Sequence, residues 1–202
     1  MNKKYKQRNF MGEIEQILDF LIEVEKLKSV LRQTRPVGIN RRENSAEHSW
    51  HVCLAALALK DYANEEVDID RVIKMLLIHD LGEIDAGDKI IYFAETDKQK
   101  ANEKQGIERL LAKLPDGLKA ECLHLWQEFE AGETAESRFA RAIDRVPPLL
   151  QNCHNEGHTW KEYEISKSQV FSLNSRIGAG SKELWGVIKG KLDSAVEKGF
   201  LK

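Results

Sequence analysis

The sequence predicts an all-α protein, and three observations predict it. Apolar residues recur at spacings of three and four in one segment after another, convincing alternating strands are absent, and Pro and Gly fall between the periodic segments. In the first segment Ile14, Ile17, Leu18, Leu21, Val24, Leu27 and Leu31 mark one face of an amphipathic helix. It stops in TRPVGIN, where Pro36 and Gly38 interrupt helical geometry. A second helix begins near Asn44 or Ser45. Asn44 followed by Glu47 resembles a capping box, and CLAALALK carries the helix on. A third covers Asp70 to Leu81, its run VIKMLLI reading as buried on most sides. Further helical patterns occupy 97–114, 116–130, 134–146 and 179–198. Pro147-Pro148 should end or sharply kink the helix before them, because proline lacks the amide and clashes with the preceding turn. His154 to Trp160 is polar, contains Gly157 and reads as a loop.

Composition bounds what such a protein can be. The 202 residues suit one domain spanning 1–202, long enough to enclose a core without disulfides. Apolar residues make up 42% and charged residues 32%, as in a well-solvated globule. Thirty-one basic against thirty-three acidic side chains leave a formal charge of −2, which argues against wholesale nucleic-acid binding. Cys53, Cys122 and Cys153 are odd in number and form no C-x-x-C pair, a pattern of reduced cytosolic thiols. The basic start MNKKYKQRNF has no leader's apolar core, and no apolar run approaches the roughly 18 residues a membrane span needs. The expected location is the cytoplasm.

Three places carry polar groups where apolar ones are expected. In LLIHDLGEI, His79 and Asp80 end an apolar run; in ARAIDRVPPLL, Asp144 lies between Ile143 and Val146; in AEHSWHV, His48 occupies a first helical turn. A buried aspartate costs several kcal/mol unless it is paired or binds a metal. Each has a bland reading alone. A lone helical histidine is more often a core or surface residue than a ligand, and Asp144 beside Arg141 or Arg145 would ordinarily form a structural ion pair. Together, two imidazoles and two carboxylates make a mixed set suited to one divalent ion such as Co, Mn, Fe, Ni or Zn. Glu83 follows His79 by four residues, which puts a carboxylate on the same helical face without making it a ligand. A non-ligand carboxylate beside metal-activated water is what general acid–base hydrolysis requires.

The order His48 … His79-Asp80 … Asp144 resembles the H…HD…D signature of the HD-domain superfamily of metal-dependent phosphohydrolases. The blocks RRENSAEHSWHV, LLIHDLGEIDAGD and LWQEFEAGETAESRFARAIDRVPPLLQN are similar to those of its YfbR-like 5′-deoxynucleotidase branch. The resemblance runs from about Leu27 to His158, a motif-bearing core followed by the helix at 179–198. It implies an all-α globule, commonly a homodimer, that hydrolyses nucleoside 5′-monophosphates with a divalent transition metal. By position it implies His48, His79, Asp80 and Asp144 as ligands, Glu83 as the carboxylate that orients or deprotonates water, and Asp88 as a second acid. Arg41 and Glu43 match an R-x-E element before the first histidine. Arg32 and Arg41 are the expected substrate-binding residues, with Arg32 preferred for the phosphate because bidentate arginine suits that anion. Bacterial relatives carry Arg-Trp where this chain has Arg32-Gln33, which bears on the choice of sugar. Lys89 after Gly87-Asp88 is a second departure, at the mouth of the expected pocket.

The remaining candidates read as structural. His51 lies three residues after His48 on the same face, where a fifth ligand is unnecessary. Cys153-His154, Glu156 and His158 imitate a zinc cluster without its helical spacing. His124 is expected partly buried, and the four tryptophans are packing residues, Trp50 drawing notice as a neighbour of His48. Alternative activities on the same superfamily fold are a phosphodiesterase, a nucleoside triphosphatase, or a non-catalytic nucleotide-binding protein.

Overall fold

The computed structural model describes residues 10–94 and 96–202, and everything described is helical apart from connections and one antiparallel bridge between Leu31 and Asn44. The basic start read above for its lack of a leader core lies mostly outside the described residues. Helix α1 (Phe10–Val24) passes into a 3-10 segment (Glu25–Ser29). Then come α2 (Ser45–Leu59), α3 (Ile69–Ile78), the short α4 (Glu83–Ala86), α5 (Asp97–Leu111) and α6 (Asp116–Ala131). Helices α7 (Ala135–Asp144), α8 (Val146–His154), α9 (His158–Glu162), α10 (Lys167–Asn174), α11 (Ile177–Gly180) and α12 (Lys182–Glu197) complete the chain. No helix among the described residues is long and apolar enough to cross a membrane.

Two apolar clusters hold these helices. The larger gathers Val52, Val72, Met75, Leu76, Phe139, Ile143, Trp160 and Leu192. The smaller joins Leu27, Leu81, Ile107, Leu110 and Trp126. Helix α7 packs on α2, α3 and α11, and α4 packs on α5. The second contact is close: a Cβ on Gly106 would come within 2.8 Å of the Gly82 carbonyl, and one on Gly82 within 2.8 Å of the Glu103 carbonyl. Only glycine lets the two backbones approach this far, and the approach sets the residue after Gly82, which is Glu83.

Several sequence expectations change at this level. The first helix does not run on to Leu31. It tightens at Glu25, and Leu31 leaves it to pair with Asn44. Ile17, Val24 and Leu27 reach the smaller core, but Ile14, Leu18 and Leu21 stay half-exposed because no described element covers them. The third helix ends at Ile78 rather than Leu81, and Leu77 faces outward. Leu81 and Glu83 then donate backbone bonds to the carbonyls three residues back, so a tighter turn links α3 to α4. Pro147-Pro148 lie in the first turn of α8, where a missing amide has no intrahelical partner to lose. They begin a helix as much as they end one. The segment 154–160 is not a loop: Gly157, at φ 72°, turns the chain and α9 starts directly after it. The C-terminal helix spans 182–197, with α11 a separate turn before it. His124 is largely exposed rather than half-buried.

Candidate metal centre

The capping box expected at α2 is present and fixes the turn that carries His48. Asn44 Oδ1 accepts from the Glu47 amide at 3.0 Å, and Glu47 Oε2 accepts from the Asn44 amide at 3.2 Å. The turn so held carries His48 into the interior, fully buried, with Nε2 2.8 Å from Asp144 Oδ1 at the end of α7. His79 caps the C-terminus of α3, and its Nδ1 donates to the Leu76 carbonyl at 2.8 Å. That bond fixes the tautomer and turns Nε2 toward Asp80 Oδ1 at 3.1 Å and Asp144 Oδ1 at 3.4 Å. One donor atom from each of His48, His79 and Asp80 lies within 4.8 Å of the others. The three stretches that looked anomalous in the sequence therefore meet at one point.

Around them the balance of charge is lopsided. The guanidinium of Arg32 lies 2.9 Å from Asp80, 3.5 Å from Asp88 and 3.8 Å from Glu43. Burial works against its charge, but Asp80 and Asp88, then Glu83 and Asp144, hold its pKa well above the ordinary value. Five carboxylates thus share one guanidinium. Glu83 is buried and accepts a 2.6 Å hydrogen bond from Ser45 Oγ; burial and then the Asp80 charge raise its pKa well above the usual carboxylate range. Burial also pushes Asp88 up to about 6, helped by Asp80 and opposed by Arg32 and by the Gln33 amide, which donates to it at 3.1 Å. The two imidazoles diverge. Burial and Arg32 push His48 down to about 4, whereas Asp80 and Asp144 outweigh burial at His79 and raise it to about 9. Asp144 is itself held well below its usual value by both imidazoles, against burial.

These residues suit a divalent cation. His79 Nε2 is buried, faces two carboxylates and has no hydrogen-bond partner, and the surplus of negative charge wants a further cation. The cluster opens on a cleft of about 550 Å³ lined on its polar side by Asp80, Glu83, Asp88, Asp144 and Arg145, and elsewhere by groups such as Phe93.

A family model described as "HD domain" matches residues 24–185. The chain belongs to the HD-domain family. Its relatives include the protein named 5′-deoxynucleotidase HDDC2 from Dictyostelium discoideum, 31% identical over 167 residues that cover 79% of this chain and 87% of that one. The human protein of the same name is 28% identical over 139 residues, covering 67% of this chain and 66% of its own length. This HD-domain chain thus matches about two thirds of its human relative. Among solved structures it is similar to one described as a predicted metal-dependent phosphohydrolase from Magnetospirillum magnetotacticum MS-1. The two are 46% identical with a TM-score of 0.90 over 94% of this chain and 96% of the other.

The HD-domain site gathers most of the residues expected from the sequence, with exceptions. Arg41 stays outside: its half-exposed guanidinium is bound through both nitrogens by Glu47, and it does not line the cleft. Glu43 is buried, accepts from Gln151 at 2.7 Å and stands 3.8 Å from His48 Nδ1, so it braces the histidine and Arg32. His51 is half-buried beside Trp50, which is 65% exposed, and neither belongs to the cluster. His158 Nε2 is 3.3 Å from Glu162 within α9. The ion pair considered for Asp144 does not form with either arginine. Asp144 takes the imidazoles instead, and Arg141 donates to the carbonyls of Phe129 and Glu130. Sequence reasoning missed Ser45 and the pair formed by Tyr163 Oη and Gln33 Oε1 at 2.6 Å. Ser45 was readable only as the first residue of a helix, since its partner lies 38 positions away.

Proposed function

We propose that this HD-domain protein is a metal-dependent 5′-nucleotidase that releases phosphate from deoxynucleoside or ribonucleoside 5′-monophosphates. The observation that carries the reading is the buried, unpartnered Nε2 of His79 between two carboxylates, with Glu83 close by and an open cleft in front. The names of the relatives support the substrate class. His48, His79, Asp80 and Asp144 would hold one divalent ion from the series Co, Mn, Fe, Ni and Zn. When bound, the ion polarises a phosphate oxygen and lowers the pKa of water.

The chain's own groups do the rest. Ser45 occupies Oε2 of Glu83, which leaves Oε1 to orient the attacking water and take its proton. Asp88, with its pKa near 6 and its carboxylate steadied by the Gln33 amide, gives a proton to the departing 5′-oxygen. Arg32 keeps Asp80 and Asp88 in register. The whole chain acts as one HD unit, without nucleic acid or membrane as partner, in the cytoplasm. Its near-neutral charge and three free cysteines support that location and partner class. A homodimer is supported by two exposed apolar stripes, Met11, Ile14, Leu18 and Ile22 on α1 and Trp50, Leu54 and Leu57 on α2.

A phosphate-release assay across mono-, di- and triphosphates and cyclic nucleotides, run with each metal after chelation, tests the reading. Release from monophosphates alone supports it. Preference for cyclic nucleotides or triphosphates points to the phosphodiesterase or triphosphatase alternatives, and binding without release to a non-catalytic nucleotide-binding protein.

A further inference from the structure

A dianionic phosphate that enters a site with five carboxylates needs a cation of the chain's own, and the obvious candidate is engaged elsewhere. Arg32 is buried, its Nη1 is held by Asp80 and Asp88, and it does not line the cleft. An anion placed against it would meet those carboxylates first.

The arginines that do line the cleft are Arg141, Arg145 and Arg176. Arg141 is tied to two backbone carbonyls and lies 5.7 Å over the Phe129 ring. Arg176 is exposed. Arg145 differs from both. Its Nη1 is shut off from solvent with no hydrogen-bond partner, and the residue has no ion pair among the described residues. It follows Asp144 directly, at the junction of α7 and α8, so its backbone is set by the same turn that delivers the aspartate.

We infer that Arg145 is the guanidinium that grips the phosphate of the substrate, and that Arg32 is a positioning residue. The inference rests on the cleft being the substrate site proposed above. A guanidinium that is largely desolvated, lacks a carboxylate partner and has two other arginines nearby is in an unfavourable state. Arg141 and Arg176, which line the same cleft, add like charge around it. An anion carrying two or more oxygens relieves all of these at once through a bidentate bond. Arg32 is in the opposite state, surrounded by more negative charge than it can neutralise. A neutral nucleoside brings no such relief, so the discrimination falls on the phosphate.

The test uses the metal-loaded protein, with inorganic phosphate as probe in titration calorimetry and deoxyadenosine 5′-monophosphate as substrate. Arg145→Gln should weaken phosphate binding at least tenfold and raise KM more than it lowers kcat, with metal content by elemental analysis unchanged. Its melting temperature should equal or exceed that of the wild type, because no hydrogen bond is lost. Arg145→Lys, which keeps the charge but not the fork, should fall between the two. Deoxyadenosine should bind both proteins alike. Equal phosphate affinity in Arg145→Gln and wild type overturns the inference, as does a marked fall in its melting temperature or no phosphate binding by the wild type. Should the wild type bind phosphate through Arg145 yet hydrolyse no nucleotide, the arginine assignment stands and the nucleotidase reading fails.

Discussion

Ser45 donates a 2.6 Å hydrogen bond to Oε2 of Glu83, joining the first residue of α2 to the first residue of α4. The carboxylate next to the proposed metal centre is thus aimed by the same helical turn that carries His48. A hydrogen bond to a charged group contributes roughly 1.5–3 kcal/mol, equivalent to about 10- to 100-fold in an equilibrium or rate. Ser45→Ala should lower kcat by about tenfold or more while KM for a nucleoside monophosphate and the metal content stay near wild type. A kcat equal to wild type would remove Ser45 from the mechanism.

Arg32 stands between Asp80, Asp88 and Glu43, and its removal leaves three buried carboxylates without their cation. Breaking a buried pair by deleting one partner costs about 3–5 kcal/mol. For a chain of this size, that is a fall of roughly 6–20 °C in melting temperature. Thermal denaturation of Arg32→Gln should show that fall. A melting point unchanged from wild type would mean that the carboxylates do not depend on Arg32.

The α4–α5 contact should be intolerant of any side chain. Gly106→Ala places a methyl group 2.8 Å from the Gly82 carbonyl, which must then shift together with Glu83. Overpacking costs about 1–3 kcal/mol, and kcat should fall with stability because the displaced backbone carries Glu83, the proposed catalytic carboxylate. A variant that melts and turns over like wild type would show that the contact has slack.

The exposed apolar stripe on α2 is one of the two that support the proposed homodimer. Trp50→Lys combined with Leu54→Glu puts charge on a face that is about half-exposed or more in the single chain. Light scattering coupled to size-exclusion chromatography should find a dimer for the wild type and a monomer for the variant. A wild-type monomer at micromolar concentration would remove the homodimer from the account.

How much of this was legible in the sequence depended on the range of the interaction. The Asn44–Glu47 capping box spans three residues and could be read directly. His79 and Asp80 were conspicuous because polar groups at the end of VIKMLLI conflict with burial. Asp144 was conspicuous for the same reason, and it was grouped with the two imidazoles by resemblance rather than by spacing. Chain spacing shows that a carboxylate needs a partner and cannot show that two imidazoles 65 and 96 residues away supply it in place of the adjacent arginine. Arg32 was placed at the site by its motif, and its pairing with Asp80, Asp88 and Glu43 is a tertiary fact that spacing does not show. Arg41 belonged to the right motif, and the local helix cap took it. The half-exposed face of α1 was invisible because periodicity identifies an apolar face without showing what covers it. The helix α9 was hidden by Gly157, whose positive φ starts the turn that sequence reading took for a break.

The central claim is that a divalent ion held by His48, His79, Asp80 and Asp144 works with Glu83 to hydrolyse a phosphomonoester. The most direct measurement is phosphate release from deoxyadenosine 5′-monophosphate by wild-type and Glu83→Gln protein, stripped with chelator and then resupplied with one divalent metal. The account predicts no release from the stripped protein and recovery on resupply. It also predicts that Glu83→Gln takes up the same metal but is slower by roughly 10²- to 10⁴-fold, the usual contribution of a general base. Release that survives chelation, or a Glu83→Gln variant as fast as wild type, would contradict it.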